Sequence, residues 1–223
     1  MNRSITRALT LSCLLACVFA PVAVAKEKPP ENWDGLERKK VKGLDNVYVR
    51  PNVQFAPYKS VMLDETQVEF SKNWQKSFDF SDRPDAAEMQ KIRDGVAALM
   101  RERFTKELVD NGYTVVDTAA EDTLQVRTAI IDLFITAPDL NDPGLTKSYT
   151  SSAGGMTLVL EARDGPTGQL LARAVDRKED EHMGGYMMWT NKATNTADAR
   201  RIVDLWAKDL RKSLDRLNGK DGK

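Results

Sequence analysis

Hydrophobic residues recur along the chain with two different spacings, and each spacing predicts a type of secondary structure. Every second residue is hydrophobic in two pieces of Tyr58–Phe70, and again in Met156–Leu160 and Leu170–Val175, which is typical of strands with one buried face. Between the last two segments lies Asp164–Gly168, which is rich in turn-forming residues. The sequence therefore predicts one or two strands early in the domain and a β-hairpin late in it.

Two other segments have hydrophobic residues three and four positions apart, which predicts long helices with one buried stripe each. The first helix is expected over Pro84–Asn111, because Ser81–Pro84 contains residue types that start helices and Gly112 is a residue type that ends them. The second is expected to begin at Asn195–Thr196, with Trp206 in the core. The two stripes consist of Met89, Ile92, Val96, Leu99, Met100, Phe104 and Leu108, and of Ile202, Leu205, Trp206, Leu210, Leu214 and Leu217.

The segment between the helices adds two further strands. Tyr113–Val116 predicts a short strand directly after the first helix, and Leu124–Ile135 predicts the longest strand of the chain. The alternation in that long strand breaks at Ile130 and Ile131, which a β-bulge or burial on both faces would explain. The order of these elements predicts an α+β fold: a two-layer sandwich in which a mixed, mostly antiparallel sheet carries both long helices on one face.

The composition changes along the chain and divides it into four parts. These parts are a signal peptide (residues 1–25), a polar tether that leads into the domain (26–50), a single α+β domain (51–217) and a frayed polar tail (218–223). Within the tether, Trp33 and Leu36 are candidates for docking onto the domain. The loop Pro138–Ser152 is long and polar, which makes it the best place in the domain for a binding surface.

The N-terminus has the three parts of a secretory signal peptide in the right order. The first seven residues are positively charged, and the apolar segment Ala8–Val22 follows, which is too short to span a membrane. Ala23 and Ala25 then give the small-x-small pattern that signal peptidase requires, and Lys26 begins a polar segment. We therefore expect cleavage after Ala25 and a location in the periplasm.

Cys17 offers a second interpretation of the same segment. Leu14–Cys17 matches the lipobox of bacterial lipoproteins, and acylation of Cys17 would anchor the protein to the outer membrane. The eight apolar residues Val18–Ala25 would then follow the lipid, where a polar tether is usual. We favour the ordinary cleavage site, after which no cysteine remains in the chain.

The net charge argues against a nucleic-acid partner. The signal peptide contains Arg3 and Arg7 of the chain's 33 basic residues and none of its 33 acidic residues, so the exported part has a net charge of about −2. Nucleic-acid-binding domains normally have a clear basic excess.

The side chains on which most enzymes depend are scarce. His182 is the one histidine, no serine lies in a nucleophile elbow, and Gly154–Gly155 and Gly184–Gly185 are isolated pairs typical of turns rather than phosphate-binding loops. In the acidic run Glu179–His182, neighbouring side chains point to opposite faces and do not converge on one metal ion. We therefore predict a non-enzymatic protein without catalytic residues, cofactors or metal sites.

A short apolar segment gives the one candidate partner surface that the sequence suggests. Tyr186, Met188 and Trp189 follow the glycine pair Gly184–Gly185, and these residue types are enriched in protein interfaces. Packing of the same residues in the core is the alternative, which we favour because large aromatic side chains dominate the cores of small domains.

Several stretches of the chain, in their order, resemble the bacterial family known as domain of unknown function 3313. These stretches are Trp33–Leu36, Val47–Pro51, Tyr58–Asp64, Thr157–Glu161, Asp164–Val175, Trp189–Asn191, Ala199–Arg200 and Trp206–Ala207. The resemblance covers the chain from about Trp33 to Leu217. It implies a cell-envelope protein, since many members are lipoproteins, and it implies no catalytic residues. The cleavage site after Ala25 departs from the lipoprotein members.

These observations predict a non-catalytic periplasmic module that binds an envelope protein or a cell-wall component. It would contact a membrane only if Cys17 is lipidated, and the sequence leaves its oligomeric state open. The alternatives are the outer-membrane lipoprotein and a hydrolase that uses carboxylates or a lone serine.

Overall fold

The computed structural model describes the backbone of residues 29–55, 57–78, 80, 83–135, 148–150, 152–181, 188–190 and 192–219. For residues 148–150, 152, 153, 180, 181, 188–190 and 192–195 only the backbone is described.

The described residues form a nine-stranded sheet, a two-stranded sheet and two long helices. The strands of the large sheet are β1 (Asn32–Trp33), β2 (Leu36–Lys39), β3 (Asn46–Val49), β4 (Ser60–Leu63), β5 (Gln67–Phe70), β6 (Thr114–Val116), β7 (Thr123–Ile135), β9 (Ser152–Asp164) and β10 (Leu170–Glu181). The small sheet pairs β8 (Ser148–Thr150) with β11 (Met188–Thr190). The helices are α1 (Ala86–Asp110) and α2 (Lys192–Leu217), and Trp74–Ser77 forms a short 3₁₀ helix.

The large sheet is mixed. Its order is β1-β2-β3-β10-β9-β7-β4-β6, and β5 pairs with the second half of β7. In the sheet order β1-β2-β3-β10-β9-β7, all neighbouring strands are antiparallel. Strands β4 and β5 pair with β7 in parallel, and β6 pairs with β4 in parallel. Helix α1 connects β4 to its parallel neighbour β6, since parallel strands need a long crossover. A mixed sheet with two helices confirms the predicted α+β class. Neither of the described helices is long and apolar enough to cross a membrane.

Strands β9 and β10 form the hairpin that the sequence predicts. In its turn, the Asp164 carboxylate accepts a hydrogen bond from the backbone N–H of Thr167 at 3.0 Å, and Gly168 adopts a positive φ of 69°. Both features are typical of tight turns, because aspartate bonds its own backbone and glycine has no Cβ to clash. The register shifts by one residue between Leu170 and Ala172, and beyond this shift Leu160 lies opposite Ala174.

The broken alternation in β7 is a β-bulge, one of the two explanations that the sequence allowed. The register with β9 shifts between Ile131 and Phe134, and Asp132 inside the shift has a φ of 52°. Because the bulge adds one residue, Ile130 and Leu133 both point into the core.

The pair Gly154 and Gly155 lies inside β9 and not in a turn as the sequence suggested. A Cβ on Gly155 would lie 2.6 Å from Cε1 of Phe134, so the phenyl ring of that neighbour rests directly on the glycine. Glycine within a strand is required here because another group approaches the backbone closely.

Helix α1 begins later than the sequence predicts. Its N-cap is Asp85, whose carboxylate accepts a hydrogen bond from the Glu88 N–H at 2.8 Å, while the Glu88 carboxylate accepts one from the Asp85 N–H at 3.0 Å. This capping box favours Asp85 over Ser81–Pro84, since only Asp85 has a glutamate three residues later. The helix ends next to Gly112, with a φ of 82°, as predicted.

Helix α2 begins at Lys192, three residues before the predicted cap. Trp206 is buried, which confirms its predicted place in the core, but Leu205 is 47% and Leu217 44% exposed, so their predicted places in the stripe are wrong. Successive helical residues are rotated by about 100°. The stripe is therefore centred on Val203 and Trp206, and Leu205 falls on the solvent side.

The segment predicted as a tether is part of the sheet. Strands β1 to β3 lie within residues 26–50, and β3 pairs with β10. Leu36 is fully buried and packs against Tyr48 and Leu170. The boundary at residue 51 therefore differs from the structure, in which the sheet begins at Asn32. The charges of this segment indicate exposed side chains, and they say nothing about pairing of its backbone.

One buried carboxylate joins the sheet to α2. The Asp176 side chain is 2% exposed and lies 2.7 Å from the Lys178 ammonium. It accepts hydrogen bonds from Trp206 Nε1 at 2.7 Å and from the Asp45 N–H at 2.9 Å. A buried carboxylate is stable only when such partners replace water. These contacts link β10, α2 and the loop before β3.

Replacement of Trp206 by phenylalanine tests this link. The W206F variant removes the indole donor and leaves the Asp176 carboxylate with one fewer partner, so we expect it to lower the free energy of unfolding by about 2 kcal/mol or more. Urea denaturation followed by circular dichroism measures this difference. The control is Leu205→Ala at the exposed neighbour, with an expected change within about 0.5 kcal/mol. Equal effects of the two substitutions would contradict the assignment.

Candidate functional site

The central strands of the sheet carry a row of charged side chains on the side opposite the hydrophobic core. Leu158, Leu160 and Ala162 of β9 point into the core, so the residues between them point the other way. Across β3, β10, β9 and β7, the pairing register places Tyr48, Arg173, Glu161 and Arg127 side by side. We call this side of the sheet, formed by that row together with Val175, Val159, Ala129, Arg163 and Trp33, the outer face.

Glu161 is the acidic centre of the row. Its Oε2 accepts hydrogen bonds from Arg163 Nε at 3.0 Å and Nη2 at 2.8 Å, and its Oε1 lies 3.3 Å from Arg173 Nη1. The contact with Arg173 is longer than the usual 2.7–2.9 Å of a charged hydrogen bond. One carboxylate therefore faces two guanidinium groups, and it bonds Arg163 more closely than Arg173.

The Arg173 guanidinium is held in place by an aromatic ring. Its Cζ lies 3.8 Å from the ring centroid of Trp33, and the Trp33 ring in turn meets Tyr48 edge to face at 5.5 Å. Stacking of this kind fixes the plane of the guanidinium. Nε of Arg173 is buried and has no hydrogen-bond partner among the described residues.

Arg127 lies on the other side of Glu161. Its Nε donates a hydrogen bond to Asp64 at 2.9 Å, and its side chain is 51% exposed. Gln125 donates to the same carboxylate at 2.8 Å. Because neighbouring strands are about 4.8 Å apart, the backbones of Arg127 and Arg173 are separated by about 10 Å.

A row of small hydrophobic residues runs beside the charged row. Val175 pairs with Val159, and Val159 pairs with Ala129, so the three side chains lie next to one another one pleat away from Glu161. All three are half-buried. The outer face thus presents charged and apolar groups in adjacent parallel lines. Tryptophan and arginine are also among the residue types that contribute most to protein interfaces, whereas Tyr48 is buried.

Two carboxylates lie near each other on the core side of the sheet, Asp176 of β10 and Asp209 of α2. Paired carboxylates also occur in the active sites of hydrolases. Burial raises the pKa of Asp209, Lys178 and Lys212 oppose this increase, and Asp176 adds to it. The Asp176 carboxylate is already occupied by three donors. Neither residue lines one of the two cavities described below. The contacts of Asp176 hold α2 and the loop before β3 against β10, which is a structural role.

The described cavities are small. The first, of about 60 Å³, lies between the two helices and the ends of β7 and β9, and is lined by Val96, Ile135, Gly155 and Ile202 among others. The second, of about 250 Å³, lies between β5 and α1. Sites for small molecules are usually 300–1,000 Å³. Within the part of the chain that the structure describes, no group of three or more metal-ligating side chains is present.

Most residues that the sequence singled out lie outside the described residues. These are the cleavage residues Ala23, Ala25 and Lys26, the lipidation candidate Cys17, the histidine His182, and Tyr186 of the proposed partner surface. The backbone of Met188 and Trp189 is described in β11, where Trp189 pairs with Tyr149 of β8. The small sheet therefore brings together the end of the loop Pro138–Ser152, where the sequence predicts a binding surface, and the apolar segment around Trp189, for which it favours core packing over a partner surface.

The sequence analysis missed the outer face. The signal was available in β9 and β10, where Glu161 and Arg163 alternate with core residues and Arg173 follows the turn. Counting outward from the pair Arg163–Leu170 next to the turn would place Glu161 opposite Ala172, however, and the register shift between Leu170 and Ala172 brings Arg173 there instead. The contribution of Trp33 had no such signal, because it comes from a strand that the sequence did not predict.

Comparison with known families gives one match. Residues 27–210 match the family described as "Protein of unknown function (DUF3313)". No curated protein matches the chain.

Several solved structures are distantly similar. The PelC dodecamer from Paraburkholderia phytofirmans is 10% identical, with a TM-score of 0.34 over 71% of this chain and 95% of that chain. A protein from Helicobacter pylori, described as a homolog of a neuraminyllactose-binding hemagglutinin, is 10% identical, with a TM-score of 0.38 over 76% and 91%. A DUF4136 family protein from Bacteroides thetaiotaomicron is 10% identical, with a TM-score of 0.34 over 83% and 98%. Likeness at these scores supports no inference about this chain.

Substitution of Glu161 by glutamine tests the charge balance of the outer face. E161Q removes the carboxylate that separates Arg163 from Arg173, so we expect the free energy of unfolding to fall by about 1 kcal/mol at low salt. The loss should shrink in about 0.5 M NaCl, because salt screens the repulsion between the two arginines. Urea denaturation at both salt concentrations measures it. The matched control is Glu102→Gln, whose carboxylate is 60% exposed beside Arg103, with little expected change. An effect of E161Q that does not depend on salt would contradict this account.

Proposed function

We propose that this chain, which belongs to the DUF3313 family, is a non-catalytic binding or accessory module of the bacterial cell envelope. Its partner is an envelope protein or a cell-wall component, which it binds through the outer face. The observation that carries the proposal is the row of Trp33, Arg173, Glu161 and Arg127, in which interface-forming residue types are fixed in position and remain at least partly accessible.

The proposal includes a two-layer arrangement in which both helices cover one side of the sheet. Buried residues of α1 and α2, such as Phe104 and Trp206, belong to the same hydrophobic cluster as Leu158 of β9. The helices also contact each other, through an Arg103–Asp204 hydrogen bond and through Arg211, which donates to Glu107 at 3.1 Å. In this arrangement the helices do not cover the outer face, which is free to bind the partner.

A non-catalytic role fits the chemistry of the described residues. The buried carboxylate of Asp176 is held by Trp206 and Lys178, and such an engaged group is poorly suited to proton transfer. The rival function, a hydrolase using carboxylates, is favoured by one observation: the pKa of Asp209 is raised by burial near Asp176. We prefer the structural role, because neither carboxylate opens onto a described cavity.

We also propose that the mature protein begins at Lys26 and acts in the periplasm. Cleavage after Ala25 removes the apolar segment Val18–Ala25 and leaves the polar residues that start at Lys26. Processing at Cys17 would keep that apolar segment next to the lipid.

Site-specific photo-crosslinking in intact cells tests the binding face. A benzoylphenylalanine at Val159, in the centre of the outer face, is expected to form an adduct with a partner protein or a cell-wall fragment, because its side chain lies within the proposed interface. Mass spectrometry of the adduct identifies the partner. The control position is Leu205, which is exposed on α2, and no adduct is expected there. Adducts from Leu205 but not from Val159 would refute the outer face as the binding surface.

The intact mass of the protein isolated from its envelope tests the location. A mass equal to that of residues 26–223 is expected, and a Cys17→Ala substitution should leave it unchanged, since cleavage removes that residue. A chain that begins at Cys17 and carries acyl groups would instead make the protein a lipoprotein anchored in the outer membrane.

A further inference from the structure

The strongest unexplained feature of the outer face is that Arg173 is incompletely neutralised. Among the described residues, only Glu161 and Trp33 are placed against its guanidinium, at 3.3 Å and 3.8 Å. Glu161 makes its two closer hydrogen bonds with Arg163. The single carboxylate of Glu161 therefore neutralises only part of the charge of Arg163 and Arg173. Arg173 retains hydrogen-bond donors that a second carboxylate can satisfy.

The positive excess extends along the central strands. On the outward positions of β9 and β10 whose side chains the structure describes, Arg163, Arg173 and Arg177 face Glu161 and Glu179. Arg127 of β7 is paired with Asp64 through Nε alone and is half exposed. A surface of this kind attracts acidic groups.

The neighbouring apolar row indicates which acidic group fits. Val175, Val159 and Ala129 lie one pleat from the charged row, and adjacent rows on one face of a sheet are about 7 Å apart. An anionic headgroup or free phosphate uses only the arginines. A polypeptide that presents both carboxylates and aliphatic side chains uses both rows.

We propose that Arg173 and Arg127 bind the carboxylates of an acidic segment of a partner protein, whose aliphatic side chains pack on Val159 and Val175. The planar guanidinium of Arg173, stacked on Trp33, holds its terminal Nη donors in a fixed plane for recognition of a carboxylate, while its buried Nε does not take part. This inference rests on the proposed function of the outer face and names the chemistry of its partner.

Binding of two synthetic peptides to the purified protein tests the inference. One fluorescein-labelled peptide of about eight residues alternates glutamate with valine, and the other alternates glutamine with valine, so that they differ in charge alone. Fluorescence anisotropy at about 0.05 M salt should give an affinity at least about tenfold higher for the glutamate peptide, and about 0.5 M salt should remove most of the difference.

Three variants assign the effect to the outer face. R173A and R127A should each weaken binding of the glutamate peptide by about tenfold, since each removes a charged hydrogen-bond donor. E161Q should strengthen it several-fold, because it removes the competing carboxylate; a partly unfolded protein would not bind more tightly. The matched control is R101A, an arginine on α1 that is 49% exposed and pairs with Asp117, and it should leave the affinity unchanged.

Several results would overturn the inference. These are equal affinities for the two peptides, an affinity of R173A and R127A equal to that of R101A, and weaker binding by E161Q. Binding to phosphatidylglycerol vesicles in place of the glutamate peptide would assign the arginines to a lipid headgroup and also overturn it. If crosslinking at Val159 still captures a partner in that case, the proposed acidic partner is refuted, while the outer face remains the binding surface. If crosslinking fails as well, the proposed function fails with it.

Discussion

The backbone register between β9 and β10 determines the position of the groups that matter on both sides of the sheet. In this register Asp176 points to the core and meets Trp206 of α2, while Arg173, three residues earlier, points outward and meets Glu161. A shift of one residue would exchange the two faces, moving a charged row into the core and the core leucines into solvent. The turn that begins at Asp164 fixes the loop length through its hydrogen bonds and the positive φ of Gly168, and the one-residue shift between Leu170 and Ala172 then gives the register of Arg173 and Asp176.

The charged groups differ in burial between the two faces of the sheet. On the core side, the Asp176 carboxylate is nearly inaccessible and each of its partners comes from a different part of the chain, so the charge serves to hold the helix, sheet and loop together. On the outer face the charges remain in contact with water, where an ion pair contributes little to stability. Their arrangement around Glu161 leaves positive charge unmatched. This unmatched charge is the feature on which the proposed recognition of acidic groups rests.

The N-terminal strands give the outer face its aromatic component. Strands β1 and β2 extend the sheet beyond β3, and the Trp33 indole of β1 meets the Arg173 guanidinium there. The segment that contains β1 to β3 is charged, and its composition predicts a tether. Leu36 within this segment is nevertheless fully buried. Composition records which side chains face water, and it does not record whether the backbone between them is paired. This is why the sequence placed the start of the domain at residue 51.

The sequence by itself determined the α+β class, the hairpin, the two long helices and the place of Trp206, because each of these depends on the spacing of hydrophobic residues within one short segment. It also determined that β7 has an irregularity near Ile131, although only the structure assigned it to a bulge at Asp132. The tertiary structure alone decided the start of α1 at Asp85, the exposure of Leu205 and the membership of β1 to β3 in the sheet. It alone decided the outer face as well, since the pairing of Arg173 with Glu161 depends on the register shift after Leu170, and the contact of Trp33 with Arg173 joins strands far apart in the chain, about which local spacing contains no information.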